Sequence, residues 1–281
     1  MGLDLSSVGF SSKPALFTYD WRTVALYALG IGATRDELDY LYEGRGPRVH
    51  PTFAVCPTAD PVLECLARTG GDFATVVHGA QSVRAFRPLP PSGRLLTVAT
   101  LRGIYDMKKM AQVVVDTTTR LEGGDEPIFE TMWSLIYRGA GGFDGPRPPS
   151  PASVEPPEDR APDFSVEQTT RPEQALLYRL SGDRNPLHAD PEFAASVGFP
   201  QGPILHGLCT YGFVARAVIA GVCGGDGDKL RRLDGSFRRP VWPGDTIVTE
   251  GWKVDAKTIA LSVTVKERPH AVMASVFAEI A

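Results

Sequence analysis

The chain has no run of about 18 uninterrupted apolar residues, so nothing in it reads as a membrane-spanning helix. It has no basic excess. The 29 Lys and Arg stand against 33 Asp and Glu, a formal charge of −4, which offers nucleic acid no basic face. Cysteine is scarce: Cys56, Cys65, Cys209 and Cys223 are the only four in 281 residues, and none forms a CxxC pair. That spacing excludes a zinc knuckle and a thioredoxin-type motif, and the density excludes a disulfide framework. Four reduced, mostly buried thiols are expected. The opening Met1-Gly2-Leu3-Asp4-Leu5-Ser6 lacks the basic and apolar regions of a secretory signal. It fits only the loose M-G-x-x-x-[ST] myristoylation pattern, without a polybasic second signal. The closing Ala278-Glu279-Ile280-Ala281 is no peroxisomal address, so a cytoplasmic location is the expectation.

What is present is ordinary globular composition, 43% hydrophobic and 22% charged, in a length that suggests two domains. Prolines 146, 148, 149, 151, 156, 157 and 162 crowd one short span behind Gly139, Gly141, Gly142 and Gly145. Such a span cannot donate ladder hydrogen bonds and reads as a linker over residues 146–165, between units 1–145 and 166–281. The two units share short matches at one offset. Leu26-Tyr27-Ala28-Leu29 resembles Leu177-Tyr178-Arg179-Leu180, and Phe86-Arg87 with Gly93 resembles Phe237-Arg238 with Gly244, each 151 residues apart. An ancient duplication follows. Each unit opens with an amphipathic stretch, Trp21–Ile31 or Pro172–Leu180, and continues through turns to a second helix candidate. In the second unit that helix, His206–Ala220, is nearly apolar all round and must be buried. Strand candidates close each unit: Leu95–Leu101, Ala111–Thr117 and Ile128–Tyr137, then Thr246–Trp252, Thr258–Lys266 and Val272–Phe277. The order implies an α+β fold with a sheet wrapping one buried helix.

The segment Tyr178-Arg179-Leu180-Ser181-Gly182-Asp183-Arg184-Asn185-Pro186-Leu187-His188 carries the chemistry. Gly182, Asp183, Asn185 and Pro186 make a turn, which by itself needs no histidine. Asp183 and His188, five residues apart across it, can converge on one point and divide acid and base roles. Residue types alone equally allow an Asx turn whose histidine merely satisfies a buried group. A calcium loop starts well at Asp183 and Asn185 but fails at Leu187, His188 and Ala194. A zinc site would have only His188 and His206, with no HExxH or thiol partner.

That segment, followed by Pro203-Ile204-Leu205-His206-Gly207-Leu208-Cys209-Thr210, resembles the signature of the MaoC-like hydratases. It is most similar to the hydratase 2 domain, the (R)-specific 2-enoyl-CoA hydratase of multifunctional β-oxidation enzymes. The similarity extends through Tyr27–Ala33, Tyr42-Glu43-Gly44, Pro51-Thr52-Phe53 and His78-Gly79. The resemblance implies a double hotdog, two antiparallel sheets each wrapping a long helix. It implies syn addition of water to a trans-2-enoyl thioester, giving a (3R)-3-hydroxyacyl-CoA, with Asp183 and His188 as the catalytic pair. Asn185 would orient that site, and the Gly207 N–H would receive the thioester oxygen. Glu43, His78, Gly79 and Phe237 match substrate-contacting positions. Lys108, in Asp106-Met107-Lys108-Lys109, stands where the family often has Asp-Lys-Gly near the CoA. The implied substrate is an acyl-CoA, with no metal or redox cofactor, in a homodimer. The repeat places Gly32 and Glu37 where the dyad would be in the first unit, so one active site per chain is expected, with the first unit free to open a tunnel for the acyl tail. A hotdog thioesterase should lack the intact Gly-Asp-x-Asn-Pro-x-His loop, and a non-catalytic acyl-CoA-binding subunit should have a degraded dyad.

Overall fold

The N-terminal half begins with strand β1 (Ala15–Tyr19), helix α1 (Trp21–Gly30), the single turn α2 (Leu38–Leu41) and helix α3 (Val55–Arg68). Four strands follow, β2 (Val76–Ala85), β3 (Gly93–Asp106), β4 (Met110–Leu121) and β5 (Pro127–Arg138). The C-terminal half repeats this plan with β6 (Phe164–Thr169), α4 (Gln174–Tyr178), α5 (Pro191–Ser196), α6 (Gly207–Val222), β7 (Leu230–Phe237), β8 (Thr246–Lys253), β9 (Thr258–Val265) and β10 (Arg268–Ile280). These elements come from a computed structural model that describes residues 2–281, the Pro269 side chain excepted. Met1, where the myristoylation pattern starts, lies outside the described residues.

Local chemistry accounts for several boundaries. Asp20 caps α1 by accepting from the Arg22 and Thr23 N–H groups at 3.0 and 3.1 Å. Asp190 does the same for α5, with Pro191 in the first turn where its missing N–H costs nothing. Helix α6 is nearly apolar all round, Arg216 excepted, and Leu208 through Ile219 are all buried. A little over twenty residues after each long helix begins, the chain enters the strands that curl around it. A shift of 151 residues carries Val55–Arg68 onto residues 206–219, from the N-cap of α6 through most of that helix, and brings β1 and β2 onto β6 and β7 to within three residues. The paired tyrosines of the repeat, Tyr27 and Tyr178, meet at the junction with ring centroids 6.1 Å apart.

The expected two sheets are in fact continuous. All ten strands join in the order β1-β3-β4-β5-β2-β7-β10-β9-β8-β6. The halves meet where β2 pairs antiparallel with β7, in register Ala80↔Ser236, Ser82↔Asp234 and Arg84↔Arg232. This pairing satisfies one of the two open edges of each half's sheet and leaves β1 and β6 as the edges of the whole. Four strands had no candidate in the sequence: β1, β2, β6 and β7. Strand β7, Leu230-Arg231-Arg232-Leu233-Asp234-Gly235-Ser236-Phe237, looks too charged to be interior. It is interior because Asp234 accepts from Ser82 at 2.6 Å and from Arg232 at 2.8 Å. Strand β6 starts at Phe164, two residues inside the span read as linker, and the rest of that span has no helix or strand. Cys65, Cys209 and Cys223 are buried, Cys56 is half-buried, and all four are free thiols. Among the described residues no helix is long and apolar enough to cross a membrane.

Candidate active site

The loop after α4 is built from successive Asx turns. Gly182 takes a left-handed φ of 130°, and the Asp183 Oδ1 accepts from the Asn185 N–H at 3.1 Å. The Asn185 Oδ1 in turn accepts from the Leu187 N–H at 3.0 Å and caps the single 3-10 turn Pro186–His188. That turn points His188 inward, where it is 8% exposed, while Asp183 and Asn185 stay at the surface. The His188 Nδ1 lies 2.9 Å from the Ile204 carbonyl. A carbonyl can only accept, so Nδ1 carries the proton and Nε2 presents a lone pair.

His206 closes the cluster. It precedes α6 and is 1% exposed, with its ring stacked on His188 at 3.7 Å. Its Nε2–H donates to the Asp183 carbonyl at 3.2 Å, and its buried Nδ1 has no partner. One oxygen of Asp183 and one ring nitrogen from each histidine lie within 4.8 Å of one another. That trio has the donor count of a metal site. Its rings, however, are stacked with planes 27° apart, so their in-plane lone pairs run side by side instead of converging on one ion. The arrangement suits a water molecule better.

Burial governs the charges here. It holds His188 below the ordinary histidine pKa of 6.5, against the opposing pull of Asp183 and the Ile204 carbonyl. Burial, with His188 and Arg179 nearby, drives His206 down to about 3. Both rings are therefore neutral at pH 7, beside a carboxylate.

The wall of the site comes from the first residue of α6 and the central seam. The Gly207 N–H belongs to the first turn of α6, where helical N–H groups have no partner within the helix. The Phe237 ring, at the end of β7, covers Gly207 so closely that a Cβ there would sit 3.3 Å from it. His78 meets Phe237 edge-on at 5.1 Å, stacks on Trp133 at 5.0 Å, and donates from Nε2 to the Ala80 carbonyl at 3.1 Å. Burial lowers its pKa to about 4, and Asp183 is close enough to oppose that shift. Gly79 occupies the register shift of β2 opposite β5, where a Cβ would lie 2.8 Å from Ile136. Its smallness serves the sheet.

Two sequence candidates stay apart from this cluster. Lys108 lies exposed in the β3–β4 turn in a left-handed conformation, φ 68°, its N–H bonded to the Asp106 carboxylate at 2.7 Å. The turn is at the same end of the sheet as His78, but β4 and β5 separate it from β2. Glu43 is exposed in a 3-10 turn after α2, and among the described residues its carboxylate makes no hydrogen bond or ion pair. The N-terminal counterpart of the dyad is filled. A Cβ on Gly32 would lie 2.3 Å from the Phe213 ring, and Glu37 pairs with Arg216, whose Nε reaches it at 3.0 Å. The open volume lies instead in the C-terminal half, a cleft of about 610 Å³ bounded by Leu176, His188, Pro203, Trp242, Pro243 and Arg268. His206 is the residue that sequence reasoning passed over. Its signal was its place directly before Gly207, weighed only as a zinc ligand.

Residues 17–139 match the family model described as the MFE-2 hydratase 2 N-terminal domain, and residues 153–273 match the MaoC like domain. A protein of Arabidopsis thaliana named enoyl-CoA hydratase 2, peroxisomal, is 40% identical over 278 residues, covering 92% of this chain and 89% of that protein. The crystal structure of a MaoC-like dehydratase from Phytophthora capsici superposes with a TM-score of 0.87 at 32% identity, covering 99% of this chain and 98% of that one. A Mycobacterium tuberculosis structure described as a double hotdog fold superposes at 0.59 with 14% identity, covering 97% and 95% of the two chains. The fold is thus a double hotdog, and the chain belongs to the MaoC-like dehydratase family in its hydratase 2 form.

Proposed function

We propose that the protein is an (R)-specific 2-enoyl-CoA hydratase, adding water to a trans-2-enoyl-CoA to give a (3R)-3-hydroxyacyl-CoA, and catalysing the reverse dehydration. The observation that carries this reading is a carboxylate and a neutral imidazole within 4.8 Å of one another beside the start of a buried apolar helix. Asp183 and the Nε2 of His188 hold the attacking water; one of them takes a proton from it as the oxygen adds to the β-carbon, and that same proton is passed on to the α-carbon on the same face, which returns the dyad to its starting state. As charge builds on the thioester oxygen, the Gly207 N–H and the α6 dipole stabilise it. Phe237 and His78 wall the thioester side. Asn185 acts through the loop it caps, and Lys108 and Glu43 serve the substrate only at a distance from the reacting carbons, Lys108 as an ammonium for CoA phosphate. The N-terminal half has no dyad and acts as a scaffold for substrate. Assembly as a homodimer in the cytoplasm goes with this reading, testable by light scattering and cell fractionation.

The test is loss of the enoyl-thioester absorbance with crotonyl-CoA and with longer enoyl-CoAs, alongside a free-thiol assay. Product configuration is read with (3R)- and (3S)-specific dehydrogenases. Hydration without thiol release and with (3R) product is expected. Thiol release would indicate a thioesterase, and binding without either change a non-catalytic acyl-CoA carrier. Asp183→Asn should lower kcat by about 10²–10⁴-fold; an unchanged rate would refute the dyad.

A further inference from the structure

Within the hydratase reading, we propose that His206 is a positioning residue with two separable tasks. Its Nε2–H hangs the Asp183 loop from the start of α6, and its ring backs the His188 imidazole. The first task follows from the 3.2 Å bond between Nε2 and the Asp183 carbonyl. Asp183 and Gly207 sit on different elements, and the dyad works only if its water lies at a set distance from the oxyanion donor. Because His206 is adjacent to Gly207 in the chain, this one bond ties the carboxylate's backbone to the donor's backbone. Of the other bonds that shape the loop, those from the Asn185 and Leu187 N–H groups are internal to it, and the His188 Nδ1–H bond to the Ile204 carbonyl holds its far end, at His188, leaving the Asp183 end to His206. The second task follows from the 3.7 Å stack, which removes one face of His188 from water. Stacking by a neutral ring keeps the neutral form of His188 favoured without placing a charge beside it.

The charged and titratable groups around this pair are few. Asp183 faces both rings from their own loop, Arg179 faces His206 from the turn after α4, and Arg268 on β10 lines the cleft with His188. Tyr178 lies 4.9 Å from His206, and His78 on β2 borders Asp183. Arg268 is neutralised by Asp245, at 3.0 Å. None of them takes over either task.

Two substitutions separate the tasks. His206→Phe keeps a flat ring against His188 and loses the N–H. His206→Gln keeps an amide N–H of similar reach and loses the ring. The measurements are the His188 titration midpoint, by histidine NMR on the free enzyme, and the kinetics of enoyl-CoA hydration. For His206→Phe the midpoint should stay in place while kcat falls about 10–100-fold, with KM within about threefold. For His206→Gln the loss in kcat should be smaller, while the midpoint rises toward about 6.5 and the acid limb of kcat/KM moves with it. If both variants lose activity in proportion to lost folded protein, with the midpoint unmoved, His206 is packing only and the proposal fails. It fails too if both keep wild-type kcat and midpoint. Should His206→Phe not fold, the midpoint and rate of His206→Gln decide the matter. Inactive wild-type enzyme would refute the hydratase reading while the NMR arm still judges the stack.

Discussion

Asn185 commits its side-chain oxygen to the Leu187 N–H, so its first effect on the site is to hold His188 at the end of a capped turn. Replacement by Ala removes that cap and is expected to cost about 1 kcal/mol in chemical denaturation, with a drop in kcat. Asn185→Asp retains the accepting oxygen and should retain most of the stability. This part of the site was legible, because a turn of Gly182, Asp183, Asn185 and Pro186 is made by neighbours in the chain. Glu43 and Lys108 were harder, since a side chain's type does not say which surface the turn carrying it will meet. His206 was harder still. Its partners are a backbone carbonyl 23 residues earlier and the face of another ring, and neither leaves a trace in local spacing.

Helix α6 is the element on which both halves pack. Gly212 lets it approach the end of α1 so closely that a Cβ would lie 2.2 Å from the Ile31 Cγ2, and Ile31 is fully buried. Gly212→Ala is therefore expected to destabilise the fold by about 1–3 kcal/mol in urea unfolding, although Ala is the better helix former. A gain in stability would show that α1 can retreat. The burial of α6 could be read from its composition, and so could the strands with long apolar runs in each meander. Strands β2 and β7 could not. Strand β2 is interrupted by the Gly79 register shift, and on β7 the Asp234 carboxylate pairs with Arg232 of the same strand and accepts from the Ser82 hydroxyl. Period-two reading assumes one wet face, and on β7 Leu233, Asp234, Gly235 and Ser236 are buried in succession.

At the scale of the whole molecule, an ion pair clasps the first half to α6. Glu37, which stands where His188 would be, pairs with Arg216 of α6, whose side chain is 8% exposed and which also donates to the Ile31 carbonyl at 3.3 Å. Glu37→Ala would leave a nearly buried guanidinium without its carboxylate, at a cost of about 3–5 kcal/mol. The double variant Glu37→Met with Arg216→Met should recover much of that, and a double-mutant cycle by denaturation measures the coupling. The buried histidines give a second global property. His50 and His206 are held down to about 3, chiefly by burial, against about 6.5 in the unfolded chain. Between those values the unfolded state binds more protons, so both contribute their full stability above pH 6.5 and lose it as pH falls toward 3. The slope should approach roughly 1.4 kcal/mol per pH unit for each. His50 stacks on Tyr40 at 4.0 Å and has neither nitrogen bonded. His50→Phe should therefore reduce the slope of unfolding free energy between pH 6 and 4 by about one proton's worth; an unaltered slope would mean that His50 is not neutral in the fold.

The duplication, the nearly all-apolar helix and the Gly182–His188 turn were determined by the sequence alone. Each is a pattern among residues close in the chain or repeated at one spacing, and backbone propensity and burial act on such patterns directly. Tertiary structure alone decided that the two sheets join through β2 and β7. It also decided that Arg216 pairs with Glu37 and that His206 bonds the Asp183 carbonyl. Those outcomes depend on which groups meet across 20 to 180 residues of chain, and a side chain's partner is chosen only when the core has closed around it.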